Sequence, residues 1–112
     1  MSNARKILIV DDDTELREAL VEQLALHEEF EAASADTATK GVHEARNGHI
    51  DLVIMDVGLP DLDGREAVRL LRKNGFKAPI TMAFANGINS RRRLRFLSRM
   101  FYFAQRGTDP RR

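Results

Sequence analysis

The stretch DLVIMDVGLPDLDG, residues 51–64, decides how this chain folds. Leu52 to Met55 form an unbroken apolar run, which suits a strand buried on both faces of a parallel sheet. The run ends on Asp56, and Gly58, Pro60 and Gly64 then break the chain into a loop. Open α/β sheets place their chemistry at the carboxyl ends of their strands. An isolated Asp at such a place more often simply ends a strand. Here a second acidic cluster, Asp11 to Asp13, closes another short apolar run, Lys6 to Val10. That pairing reads Asp56 as a nucleophilic carboxylate.

Working outward, KILIV at 6–10 is a short buried strand, and Asp12 or Asp13 can cap the helix after it. Leu16, Leu20 and Leu24 form the apolar stripe of that helix, and His27 continues its spacing. Phe30 to Ala33 is a weaker strand. Asp36 offers a cap to a second helix, where Ala38, Val42 and Ala45 share a face; Gly41 weakens it and Asn47-Gly48 can end it through a left-handed cap. Beyond the opening stretch, Asp63 followed by Glu66 is a capping-box arrangement for a third helix, with Ala67, Val68, Leu70 and Leu71 turned inward. Asn74-Gly75 closes that helix, and APITMAF at 78–84 is a fourth strand. The alternation βαβαβαβ predicts an α/β fold: a three-layer, doubly wound parallel sheet with crossover helices.

Composition narrows the function. A chain of 112 residues is one domain with one core. No apolar run approaches the ~20 residues of a membrane span, and no signal-peptide pattern opens the chain. The absence of cysteine excludes disulfides, thiolate metal sites and a cysteine nucleophile, and fits a cytoplasmic setting. Net charge hides an asymmetry. Residues 1–85 hold 10 Lys and Arg against 16 Asp and Glu, whereas residues 86–112 hold 8 Arg against one Asp, so −6 gives way to +7. The expected division is a βα core over 1–85 and an atypical, partly helical Arg-rich segment over 86–112.

Parallel strands bring Asp11, Asp12 and Asp56 to one sheet edge. At an effective dielectric of about 20, two carboxylates ~5 Å apart repel by roughly 3 kcal/mol. A hard divalent cation is the economical compensation, and an all-oxygen site with open positions suits Mg²⁺. A carboxylate beside such an ion can accept a phosphoryl group.

These residues carry a resemblance. KILIVDDD, followed by DLVIMDVGLPDLDG with 44 residues from Asp12 to Asp56, resembles the receiver domain of two-component response regulators over about residues 5–82. The resemblance implies a flavodoxin-like receiver fold and a signalling phosphoacceptor that is not an enzyme in its own right. Asp56 would take phosphate from a histidine kinase or phosphotransfer protein. Asp12 would bind Mg²⁺ directly, Asp11 largely through water, Asp56 would also ligate, and the Gly58 carbonyl would complete the protein ligands. A local resemblance of DDDT at 11–14 to haloacid-dehalogenase-like phosphotransferases is the rival, with Asp11 as nucleophile and Asp13 as acid/base. It leaves residues 51–64 unexplained. His27, His43 and His49 share no metal-like spacing and read as solvated surface groups.

The chain departs from the receiver pattern at its C-terminal part. Counting from Pro79, the position where receivers carry Thr or Ser falls on Phe84, and no lysine follows Lys77. Switching is therefore expected to be impaired, leaving a non-switching binding module as the alternative function. A fifth strand and fifth helix are not apparent. The abrupt composition change, together with the failure of both phosphate-contact positions, reads as a shifted frame from about residue 81 or 85. Without a helix-turn-helix pattern, direct nucleic-acid contact is not expected. The apolar residues Leu94, Phe96, Leu97, Met100, Phe101 and Phe103 would cover the altered face or drive self-association.

Overall fold

Strands that all run one way need crossover connections, and those connections must shield both faces of the sheet. The computed structural model, which describes residues 4–83, has that organisation. In order, the elements are β1 (Arg5–Val10), α1 (Thr14–Ala25), β2 (Phe30–Ala35), α2 (Ala38–Asn47), β3 (Leu52–Asp56), α3 (Gly64–Lys73) and β4 (Ile80–Ala83). The four strands form one parallel sheet in the order β2-β1-β3-β4.

The period of two along β1 divides the interior. Ile7 and Ile9, with Ile54 of β3, meet the Leu16, Leu20 and Leu24 stripe of α1 on one face. Leu8 and Val10, with Val53 and Met55, meet Ala38 and Ala45 of α2 and Ala67 and Leu71 of α3 on the other. The result is three layers, as the alternation predicts. Each buried leucine of the α1 stripe contributes about 1.5–3 kcal/mol relative to exposure. On α2 the buried residues are small, Ala38, Gly41 and Ala45. A Cβ on Gly41 would meet the Val10 Cγ2 methyl at 2.7 Å. Gly41 thus does more than weaken its helix: it seats α2 directly on β1.

Local chemistry differs from expectation in several places. Thr37, not Asp36, caps α2, accepting from the Lys40 amide at 3.1 Å, while Asp36 pairs with the Lys40 ammonium at 3.1 Å. The α3 capping box does not close, because Asp63 accepts from the Arg65 amide and Glu66 pairs with Arg69. The left-handed residue after α2 is His49 (φ 53°), with Gly48 at φ −105°; after α3 it is Gly75, as expected, at φ 88°. Leu70 is exposed on α3. Helix α1 stops at Ala25, so His27 lies beyond it, paired with Glu29 at 3.3 Å and edge-on to the Phe30 ring. Strand β2 runs two residues longer than expected. Strand β4 begins at Ile80; ahead of it the Ala78 carbonyl accepts from Arg72 Nη1 at 2.9 Å and the Pro79 carbonyl from the Val53 amide at 3.0 Å.

The expectations for Phe84, the Arg-rich segment, its apolar residues, and the fifth strand and helix lie outside the described residues.

Candidate functional site

Register builds the site. Val10 of β1 stands opposite Met55 of β3, so the next residues, Asp11 and Asp56, emerge together at the carboxyl edge of the sheet. Both are buried, with 2 % and 1 % of their surface exposed, while Asp12 is exposed. Each offers a carboxylate oxygen, and the three oxygens lie within 4.8 Å of one another.

Backbone bonds hold this arrangement. The Asp11 amide donates to the Ala35 carbonyl at 3.1 Å, tying it to the end of β2. Its Oδ1 accepts from the Asp13 amide at 2.8 Å, and its carbonyl accepts from Arg17 Nη1 at 2.7 Å. Asp13 serves α1 as its cap, accepting from the Leu16 amide at 3.1 Å. The rival reading needs Asp13 as a proton donor, and Glu15 occupies the place where a D-x-D-x-T pattern would have its threonine. That reading is not favoured.

Around Asp56, Oδ1 accepts from the Gly58 amide at 3.3 Å, and the Gly64 amide donates to the Val57 carbonyl at 3.0 Å. Three of the four expected site residues therefore meet as carboxylates, and Gly58 adjoins them through its N–H. At these separations each carboxylate pair repels by roughly 3 kcal/mol at a dielectric of about 20. An all-oxygen donor set with one exposed member fits a hard divalent cation.

The sequence reading missed Asp61. Its carboxylate accepts from the Ala38 amide at 2.9 Å, the Thr39 amide at 2.9 Å and the Thr39 hydroxyl at 2.6 Å. The Thr39 hydroxyl and these amides hold the Asp61 pKa down to about 2. No local signal could have found it, since its partners lie on α2, far away in the chain. Asp63 is likewise held down to about 2, by the Arg65 side chain first and the Arg65 amide second. Neither His43 nor His49 joins the carboxylates, and both are exposed. A separate open cavity of about 490 Å³, lined by Arg46, His49 and Lys77 among others, lies by the C-terminal ends of α2 and α3.

Residues 7–97 match the family model of the response regulator receiver domain, which extends past the point where the composition changes. The chain is 39 % identical over 80 residues to the transcriptional regulatory protein PmrA of Pectobacterium parmentieri, covering 71 % of this chain and 36 % of that protein. It is 38 % identical over 82 residues to CusR of Escherichia coli, covering 73 % and 36 %. The chain thus spans about a third of the length of these curated relatives. Among solved structures, response regulator TrrA of Thermotoga maritima, in complex with Mg²⁺-BeF, matches with a TM-score of 0.67 at 32 % identity, covering 74 % of this chain and 71 % of that one. The chemotaxis protein CheY4 of Vibrio cholerae matches in fold, with a TM-score of 0.67 at 22 % identity over 86 % and 98 % of the two chains.

Proposed function

Because the chain belongs to the response regulator receiver domain family, we propose that Asp56 accepts a phosphoryl group from a histidine kinase or phosphotransfer protein. The observation that carries this is the buried Asp56 carboxylate within 4.8 Å of Asp11 and Asp12 at the carboxyl edge of the sheet. Asp11, Asp12 and Asp56 would hold Mg²⁺ with the Gly58 carbonyl, and TrrA, whose solved form carries Mg²⁺-BeF, supports that choice of ion. When bound, the ion offsets the negative charge of the carboxylates and of an incoming phosphoryl group. An Asp56 oxygen forms the new P–O bond as the P–N bond of phosphohistidine breaks. The electron pair returns to the imidazole nitrogen, which takes up a proton. The Gly58 amide, already on Asp56 Oδ1, steers the carboxylate, and Arg17 fixes the Asp11 backbone. The domain acts as a signalling phosphoacceptor rather than as an enzyme with its own substrate, and it works in the cytoplasm. Among the described residues no helix is long and apolar enough to cross a membrane.

The test is acetyl phosphate with Mg²⁺, read by intact mass. One phosphate adduct is expected on the natural chain and none on Asp56→Asn. An adduct that persists in the variant removes Asp56 as acceptor.

Phe84 and the lack of lysine after Lys77 favour a second reading, a receiver-like binding module whose phosphate is not transmitted. Residues 1–85 are the working unit in either case, and residues 86–112, into which the family match runs as far as 97, are on this reading a segment from a shifted frame. If neither other frame of the coding DNA encodes Thr or Ser near 84 and a later Lys-Pro, that origin is wrong. Self-association through the altered face is read by size-exclusion chromatography, where a compact monomer counts against it.

A further inference from the structure

The geometry points to Asp61 as a positioning residue for the carboxylate site: through Thr39 and the first amides of α2, it fixes the loop that carries Gly58. This rests on the reading of that site as a metal centre.

The loop between β3 and α3 is held at its two ends by its own neighbours. Gly58 is bonded to Asp56 Oδ1, Gly64 to the Val57 carbonyl, and Asp63 caps α3 through the Arg65 amide at 2.8 Å. Between those ends Asp61 reaches across to α2, with three hydrogen bonds of 2.6–2.9 Å to Ala38 and Thr39. Helix α2 is seated by Gly41 on Val10, the residue before Asp11. A closed circuit therefore runs from Asp56 through the loop, Asp61, α2 and Val10 to Asp11. Register between β1 and β3 sets Asp11 beside Asp56, and this circuit fixes the loop that flanks them.

Capping accounts for the two amide bonds of Asp61 but not for the third, from the Thr39 hydroxyl at 2.6 Å. The first-turn amides of a helix lack intrahelical acceptors, and one good cap answers much of that need. Thr37 already caps α2 from within. Thr37 answers the Lys40 amide and Asp61 the Ala38 and Thr39 amides, and because Asp61 comes from a distant loop its bonds also fix where that loop stands. By reciprocity, anything that displaces the first turn of α2 alters the affinity of the site for its cation.

The experiment measures Mg²⁺ affinity of the full chain by calorimetry, alongside amide hydrogen exchange at Ala38, Thr39 and Gly58 in Mg²⁺-free protein. Asp61→Ala is expected to weaken Mg²⁺ binding about tenfold and Thr39→Val about threefold, with Thr39→Ser close to the natural chain. The Asp61→Ala/Thr39→Val double variant is expected to match Asp61→Ala alone. Exchange at residues 38, 39 and 58 should quicken in step. Thr39→Val changes no charge, so it separates positioning from the loss of a nearby carboxylate, and it decides the matter even if Asp61→Ala fails to fold. Unchanged affinity in Thr39→Val with quickened exchange, or additive effects in the double variant, overturns the positioning role. If the natural chain itself does not bind Mg²⁺, the metal-centre reading fails and this one with it.

Discussion

Gly64 sits directly against the backbone of Asp56. A Cβ at residue 64 would overlap the Asp56 carbonyl oxygen and lie 2.9 Å from its carbonyl carbon. The first residue of α3 is thereby locked onto the last residue of β3, with no flexible side chain at the contact to give way. Gly64→Ala is expected to cost about 3 kcal/mol, the upper part of the usual overpacking range. Urea unfolding measures it, and Mg²⁺ affinity should fall in the same variant because Asp56 must move.

Gly41 faces a softer obstacle, the methyl groups of Val10. Gly41→Ala gains about 1 kcal/mol in helix propensity and loses about 1–3 kcal/mol to overpacking. Net destabilisation is expected. Adding Val10→Ala should recover part of it, giving a favourable coupling energy in a double-mutant cycle. Strict additivity would mean the two residues do not meet as described.

Asp12 and Asp13 are adjacent in sequence and separable in role. Asp13→Ala removes the α1 cap and should cost about 1 kcal/mol of stability, with Mg²⁺ affinity little changed. Asp12→Ala should leave stability within about 0.5 kcal/mol, as for an exposed residue, or raise it by relieving repulsion, while weakening Mg²⁺ binding strongly. Thermal melts and calorimetry on the two variants resolve the pair.

The pH response of the Asp61 contact follows from its direction of shift. The folded pKa of about 2 lies below the ordinary 3.8. The folded state therefore binds the proton less readily than the unfolded chain. The stabilisation is fully present above the unfolded value and is lost as pH falls through the folded one. The difference in melting temperature between the natural chain and Asp61→Asn is expected to be constant near neutrality and to shrink between about pH 4 and pH 2. A difference that persists to pH 2 would assign the effect to packing.

Transmission is expected to be weak. Hydrogen bonds to charged groups contribute about 1.5–3 kcal/mol each, and turning a two-state equilibrium from 1:99 to 99:1 needs about 5.5 kcal/mol. Without a hydroxyl at Phe84 or a later lysine, most of that leverage would be missing. Beryllofluoride with Mg²⁺ should shift amide resonances at residues 11–13 and 56–64 and few beyond them. A response spreading across the far strands and helices would show a working switch.

Much of the architecture was legible because periodicity is a local property. The Leu16, Leu20, Leu24 stripe and the apolar runs at Lys6–Val10 and Leu52–Met55 specify helix and strands wherever they are placed, and the alternation implies a parallel sheet. The departures from that pattern are local as well. Asp36 and Thr37 are both good caps, and only the path of the chain selects Thr37. The Asn47-Gly48 pair reads as a left-handed stop, yet His49 takes the positive φ.

The sequence by itself determined the fold class and the identity of the three carboxylates, since strand-end acids after apolar runs can be counted along the chain. Tertiary structure decided what those acids adjoin. Register between β1 and β3 sets Asp11 beside Asp56. Helix seating makes Gly41 and Gly64 contact points rather than breaks. Closure of the α2 layer over the loop brings Asp61 to Thr39. These relationships join residues far apart in the chain, and no local pattern encodes a distance between segments that only packing brings together.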